Sequence, residues 1–300
     1  MTIYFDTAKD EDDIRQALEL YIVDKISLLG ITREQYPQHE IERDFRHWLG
    51  IYRKTPKGFI IARDDERIIG VAAVALRPPQ WMLTNFFVNP RYQGQGIGRE
   101  LLTRALAVRQ GAKQFCIHAS TYPNAQMLYL KAGLYPRPNS IWFTLERERL
   151  QTLDIPRPLG TAAHKVILEE VIEQINSWDE QLLGFKRAVD HQWWATGGDY
   201  YLVTGNGTAE GYFRVEHNGH IGPLVVEDTN LMADALDLAL IAAQATSATE
   251  TNEIMVPGDN QIAIERLLRY GYRYFDVDLL LSSNPMPNLS HMIFFDSDLL

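Results

Sequence analysis

Val88-Asn89-Pro90-Arg91-Tyr92-Gln93-Gly94-Gln95-Gly96-Ile97-Gly98 joins an apolar stretch to an amphipathic one through a glycine-rich loop, and its reading decides the fold. The residues before it, Trp81 to Val88, are bulky, β-branched or aromatic, which predicts a largely buried strand. Pro90 ends its pairing. Gly94, Gly96 and Gly98 leave the backbone bare, so successive N–H groups can turn toward one oxyanion at the positive end of the next helix. That helix shows as an apolar stripe of Ile97, Leu101, Leu102, Ala105, Leu106 and Val108, with Arg99, Glu100, Arg104 and Arg109 facing away and Gly111 as its stop.

Glycine spacing alone also describes a turn that holds no ligand. The pattern is not the dinucleotide fingerprint, because no strand with an acidic end follows about 20 residues on, and it lacks the Lys-Ser/Thr pair of a P-loop. Gln93-Gly94-Gln95-Gly96-Ile97-Gly98 resembles instead the Gln/Arg-x-x-Gly-x-Gly/Ala loop of the GNAT acetyltransferases, behind a strand that ends Val-x-Pro. A second stretch, Tyr122 to Leu134, resembles the next motif of that family, with Ala125, Leu128, Tyr129, Gly133 and Leu134 at matching spacing.

The resemblance implies an α/β (α+β) fold, a mixed and mostly antiparallel twisted sheet flanked by helices. It also implies acetyl-CoA as cosubstrate and transfer of its acetyl group to a primary amine by direct attack. Phe86, Phe87 and Val88 would then offer strand backbone to the pantetheine arm, and Gln93, Gly94, Gln95, Gly96, Ile97, Gly98 and Arg99 would bind the pyrophosphate. Tyr129 would be the acid that protonates the departing thiolate. A phenol of pKa about 10 is protonated at neutral pH and suits that task; packing of its ring into the core is the alternative. The family often has Asn seven residues before this tyrosine, where Tyr122 stands here, so Asn124 is the nearest candidate cofactor contact or a helix cap. The base is the least legible part. The strand position used by carboxylate bases of the family is Ile117, its neighbour His118 points to the other face, and His118 or a chain of waters is left for the task.

With 39 acidic and 29 basic residues the net charge is −10, and no basic tract occurs, so a nucleic-acid partner is not expected. The acidic balance suits a cationic small-molecule or peptide amine acceptor. Cys116, the single cysteine, has no internal disulfide partner and no ligand spacing around it, and it reads as a small buried thiol; no metal is expected. The N-terminus lacks the pattern of a signal peptide, and no apolar run approaches the ~20 residues that span a bilayer, which leads to the expectation of a cytoplasmic protein without a membrane partner.

The 300 residues are enough for two domains. Residues 1–150 read as a catalytic GNAT domain. A helix opens at Asp10-Glu11-Asp12-Asp13 and runs to Gly30; a second carries Ile41, Phe45, Trp48 and Leu49 on one face. Glu40, Glu42 and Asp44 on that helix are either a solvated face or a recognition surface for a cationic acceptor. A hairpin turned at Asp64-Asp65-Glu66 leads into the motif strand. Residues 151–165, with Pro156, Pro158 and Gly160, read as a linker.

Residues 166–300 repeat the first half at a shift of 138, which aligns Val88 with Val226, Ala125 with Ala263 and Gly133 with Gly271. There the loop Glu227-Asp228-Thr229-Asn230-Leu231-Met232-Ala233-Asp234 has no glycine and three acids, and Leu267 replaces the tyrosine, while Asn260 fills the family's Asn position. The second half therefore resembles a degenerate GNAT domain without the cofactor loop. Trp193-Trp194 reads as core or as a pocket lining, and Asn206-Gly207 as a hairpin turn. A homodimer is compatible with this organisation, and a CoA-binding module without turnover is the alternative function.

Overall fold

The computed structural model describes residues 3–246 and 249–297. The chain divides between Phe115 and Cys116 into two compact units.

In the first unit, β1 (Ile3–Thr7) precedes α1 (Glu11–Leu29) and α2 (Gln38–Lys54), then β2 (Phe59–Asp64), β3 (Arg67–Arg77), β4 (Gln80–Val88) and α3 (Ile97–Ala107). The four strands pair antiparallel in the order β1-β2-β3-β4. Asp10 caps α1 by accepting the Asp13 N–H at 3.1 Å, and Gly30 ends it in the left-handed region at φ 65°. Ile14, Leu18 and Ile22 of α1 and Ile41, Phe45, Trp48 and Leu49 of α2 pack on Val71 and Ala73 of β3. The other face of β3 receives α3: a Cβ built on Gly70 would lie 2.9 Å from Leu101 Cδ1, so a larger residue there would have to push the Leu101 side chain aside. The helix stops at Ala107, before the expected Gly111, because the Arg109 side chain donates to the Leu106 carbonyl and Gly111, at φ 76°, belongs to the next turn.

Strand β4 carries a bulge. Asn85 faces Ala73 but Leu83 faces Val74, leaving Thr84 as the extra residue, its hydroxyl 3.2 Å from the Ala73 carbonyl. Before the bulge the strand is buried; beyond it Phe86, Phe87 and Val88 are half-buried.

The second unit begins within β5 (Gln114–Ala119) and continues through α4 (Pro123–Lys131), β6 (Tyr135–Pro136), β7 (Ser140–Glu146), α5 (Arg147–Thr152) and β8 (Thr161–Val166). It goes on through α6 (Leu168–Leu183), α7 (Ala188–Trp194), β9 (Gly198–Gly205), β10 (Thr208–Glu216), β11 (Ile221–Val226) and α8 (Met232–Gln244). Then come β12 (Thr251–Pro257), α9 (Gln261–Arg269), β13 (Arg273–Ser282) and β14 (Met292–Ile293). One five-stranded sheet runs β14-β11-β10-β9-β8. In the other, β13 lies between β5 and β7, and β12 flanks β7.

This pairing sets the unit boundary far from the expected linker. Leu279, Leu280, Leu281 and Ser282 of β13 face Ala119, His118, Ile117 and Cys116 of β5, and the middle of β13 pairs with β7. A late strand thus completes the sheet of an early segment, and 116–150 clusters with the C-terminal half. Within the expected linker 151–165, Thr161–Val166 is strand β8, paired with β9.

The internal repeat is visible in local geometry. Helices α4 and α9 begin and end 138 residues apart, and each closes with the same turn: Leu134 N–H bonds Tyr129 O as Tyr272 N–H bonds Leu267 O, each at 3.0 Å. Gly133 and Gly271 both take left-handed φ, 82° and 85°. Asn260 is a helix cap here, its side chain accepting from Ala263 N–H at 3.0 Å and donating to Met292 O at 2.9 Å. Trp194 packs in the core, 4.9 Å from the Phe295 ring, and Asn206 and Gly207 form the hairpin turn with positive φ.

A buried polar network crosses the second unit. Asp179 accepts from Arg187 Nε and Nη2 at 2.9 and 2.8 Å, from His191 Nε2 at 2.7 Å and from Tyr212 OH at 2.6 Å, and Tyr200 OH lies 2.9 Å from His191 Nδ1. A carboxylate can only accept, so His191 is the Nε2–H tautomer and Nδ1 accepts from Tyr200. Burial works to raise the Asp179 carboxyl, but the charges of Arg187 and His191 and their hydrogen bonds outweigh it and hold it well below the usual carboxylate range. Burial pushes His191 down, against the pull of Asp179.

Both shifts have one consequence for stability. Each group binds its proton more readily in the unfolded chain, near pH 6.5 for histidine and about 3.9 for aspartate, so stability falls as pH drops through those values. The second unit is expected to lose stability steadily from pH 7.5 to 5, mainly through His191. Urea midpoints across that range would check this, with His191→Gln flattening the slope; an unchanged slope in the variant would assign the acid sensitivity elsewhere.

Candidate functional site

In the first unit, β4 hands over to a one-turn 3-10 helix, Pro90–Tyr92, whose start is fixed by Asn89 Oδ1 accepting the Arg91 N–H at 3.1 Å. Tyr92 OH donates to Asp64 Oδ2 at 3.0 Å, and Gln93 Nε2 donates to Val88 O at 3.0 Å, so the Gln93 side chain shapes the base of the loop. Gly94 and Gly96 then take φ 77° and 85°, which other residues reach only with strain. A Cβ at either would meet nothing within 4 Å, so the two face open space.

Gly96 is the N-cap of α3, and no side chain caps that helix. Its first-turn N–H groups therefore lie at a positive helix end with no side-chain cap among the described residues, and the one acid of the turn, Glu100, accepts from Arg104 instead. Ile97 is buried with Leu101, Leu102 and Ala105 and fixes the helix, Gly98 is half-buried, and Gln95 and Arg99 are exposed. The arrangement fits a diphosphate: bare backbone donors, no clashing Cβ and nearby exposed guanidinium groups.

Also in this unit, Phe87 beyond the bulge meets aromatic rings from both N-terminal helices, stacked on Trp48 at 6.2 Å and edge-on to Tyr21 at 5.3 Å. One turn before Trp48, Asp44 accepts from Arg43 through Oδ1 at 3.1 Å, and its buried Oδ2 has no partner. Burial raises the Asp44 carboxyl, with Arg43 opposing. Glu40 pairs with the same Arg43 at 2.8 Å, and Glu42 accepts from Gln38 at 3.3 Å. Asp44 is thus the most enclosed of the three acids, a distinction that helix spacing alone does not reveal.

In the second unit, Tyr129 lies on the inner face of α4, 3 % exposed, and burial pushes its phenol above the usual value of 10. Asn124 does not cap this helix. Tyr122 holds the cap position, Pro123 follows, and exposed Asn124 donates from Nδ2 to Tyr122 OH at 3.3 Å, because it already lies in the first turn. Five residues separate Asn124 from Tyr129, which sets them on different faces of the helix.

His118 is buried on β5, with Nδ1 3.1 Å from Ser297 O and Nε2 2.9 Å from Ser140 Oγ. A carbonyl only accepts, so Nδ1 carries the proton and Nε2 accepts from Ser140, which leaves no lone pair for a substrate proton. This geometry speaks for a structural histidine. Cys116 is fully buried on the same strand.

Among the described residues no cluster of three or more His, Cys, Asp or Glu could hold a metal ion, and no helix is long and apolar enough to cross a membrane. Sequence reading missed the Tyr92–Asp64 bond, the open carboxylate of Asp44 and the Asp179 network. Each joins residues whose spacing forms no motif.

Residues 25–134 match the family described as Acetyltransferase (GNAT) family. None of the curated proteins matches the chain. Among solved structures, a protein of Pyrococcus horikoshii given provisionally as an acetyltransferase superposes with a TM-score of 0.75 at 18% identity, over 99% of this chain and 96% of that one. A GCN5-related N-acetyltransferase from Sphaerobacter thermophilus gives 0.63 at 16% identity, over 96% and 98%. A tandem GNAT protein from the clavulanic acid biosynthesis pathway gives 0.61 at 17%, over 95% and 99%. At these identities the likeness is one of fold.

Proposed function

We propose, from the match of residues 25–134 to the GNAT acetyltransferase family, an acetyl-CoA-dependent N-acetyltransferase that acts on a primary amine. The carrying observation is the loop Gln93–Gly98, with two left-handed glycines facing open space at an uncapped helix end. Backbone N–H groups of Gly94 to Arg99 would hold the diphosphate, and the half-buried Phe86, Phe87 and Val88 would offer backbone to the pantetheine arm. Acetyl-CoA supplies the activated thioester, which the neutral amine of the acceptor attacks.

Tyr129 is proposed to donate a proton to the departing thiolate. Its raised phenol stays protonated through neutral and mildly basic pH, so turnover should not fall on its account below about pH 10. Because His118 has both ring nitrogens engaged, the amine's proton is assigned to water rather than to that residue. Asp44 is proposed to favour a cationic acceptor, since its enclosed carboxylate has one buried oxygen without a hydrogen-bond partner among the described residues. Residues 1–150 are proposed as the functional GNAT repeat and 166–300 as the copy without a cofactor loop, whose corresponding segment is Glu227-Asp228-Thr229-Asn230.

Calorimetric titration of acetyl-CoA tests the reading. Wild type should bind, and Gly96→Glu should weaken binding about 30-fold, near 2 kcal/mol, from a strained left-handed residue and a carboxylate at the anion site. Absence of binding to wild type would sink the enzyme reading. With a panel of amines, Tyr129→Phe should lower kcat with little change in acetyl-CoA affinity; binding without turnover of any amine would favour a CoA-binding module.

A further inference from the structure

The loop that would hold the diphosphate has almost no apolar anchor. Pro90, Arg91, Gln93, Gly94, Gln95 and Gly96 are exposed, and burial resumes only at Ile97. Its position must then be set by hydrogen bonds at its base. One of them comes from another element: Tyr92, the last residue of the 3-10 turn, donates to Asp64 Oδ2 at the end of β2.

Asp64 stands on firm footing. Its neighbour Arg63 is 6 % exposed, ion-pairs with Asp13 in the first turn of α1 and donates from Nη1 to Glu66 O at 3.2 Å across the β2–β3 turn. Asp13 in turn accepts from the Lys9 N–H at 2.9 Å. The turn is therefore tied to the helix, and the Tyr92 ring is tied to the turn. Among the described residues Asp64 Oδ1 is buried without a partner, and Tyr92 donates to the other oxygen.

We infer that Tyr92 and Asp64 are positioning residues for the diphosphate loop, a brace from the β2–β3 turn that holds the backbone donors of Gly94–Arg99 ready for the anion. The inference rests on the cofactor reading of that loop. Neither side chain is placed among the donors to the ligand. Without the brace the loop must be ordered at the moment of binding, and affinity falls by that cost while the chemistry is untouched.

The test is calorimetric titration of coenzyme A into wild type, Tyr92→Phe, Asp64→Ala and the double variant, with thermal midpoints and phosphorus NMR of the bound diphosphate. Tyr92→Phe should raise Kd about tenfold, the worth of one hydrogen bond to a charged group, with the midpoint within a few degrees of wild type. The double variant should bind no more weakly than the weaker single variant, because both lose the same bond. The diphosphate resonances should shift toward those of free coenzyme A. A Kd for Tyr92→Phe within twofold of wild type, additive losses in the double variant, or unshifted diphosphate resonances would overturn the brace. If wild type binds no coenzyme A, the cofactor reading fails and the brace with it; if Gly96→Glu abolishes binding while Tyr92→Phe does not weaken it, the brace alone fails.

Discussion

Replacing Asp179 with alanine is expected to cost the second unit about 3–5 kcal/mol of unfolding free energy, the range for breaking a buried ion pair from one side. The carboxylate is fully buried and receives four hydrogen bonds, from Arg187, His191 and Tyr212. Its removal takes away the carboxylate that ion-pairs with the Arg187 guanidinium, 1 % exposed. Domain stabilities lie at about 5–15 kcal/mol, so the variant would be partly unfolded at moderate urea concentrations. Trp178, stacked on Tyr212, and Trp194, edge-on to His191, border the network and give a fluorescence readout. Adding Arg187→Met should restore part of the loss, because the buried charge that has lost its ion-pair partner goes with it. A loss below about 1 kcal/mol would mean that water reaches the cluster and screens it.

Ending the chain at Gly160 should abolish the native structure of residues 116–150. Without residues 161–300, β5 loses its partner β13, and β7 loses both β13 and β12. Phe143 and Leu145, buried in one cluster with later residues such as Leu236 and Ile254, would lose cover, and each large apolar side chain is worth about 1.5–3 kcal/mol. The bare edges would also invite aggregation. Hydrogen exchange should show the amides of Cys116–Ala119 unprotected in the fragment and protected again when residues 161–300 are supplied as a second chain. Native-like protection in the fragment alone would mean that β5 folds without β13.

The same two variants mark how far the sequence could be read. The repeat at a shift of 138 was legible because a helix, its C-terminal glycine and the following apolar residue are consecutive, and the same local bonds close both α4 and α9. The loop was legible for a similar reason. Positive φ at Gly94 and Gly96 and an exposed helix N-terminus are properties of neighbouring residues. Burial of Cys116 followed from residue type, and Asp10 and Gly30 from capping chemistry.

Other positions turn on contacts that come from far along the chain. His118 looked available as a base until Ser297, 179 residues away, and Ser140 filled its two nitrogens. The segment 151–165 looked like a boundary between independent halves, but β13 pairs with β5 across more than half the chain.

By itself the sequence determined the α/β class, the two-fold repeat and the glycine-rich turn of Gln93–Gly98 into a helix, because each follows from residues adjacent in the chain and from backbone sterics. Only the tertiary structure decided which strand completes β5, which partners His118 and Asp179 find and that Tyr92 reaches Asp64. Those outcomes depend on burial and on hydrogen-bond partners that must be satisfied once water is excluded, and no periodicity in the chain encodes them.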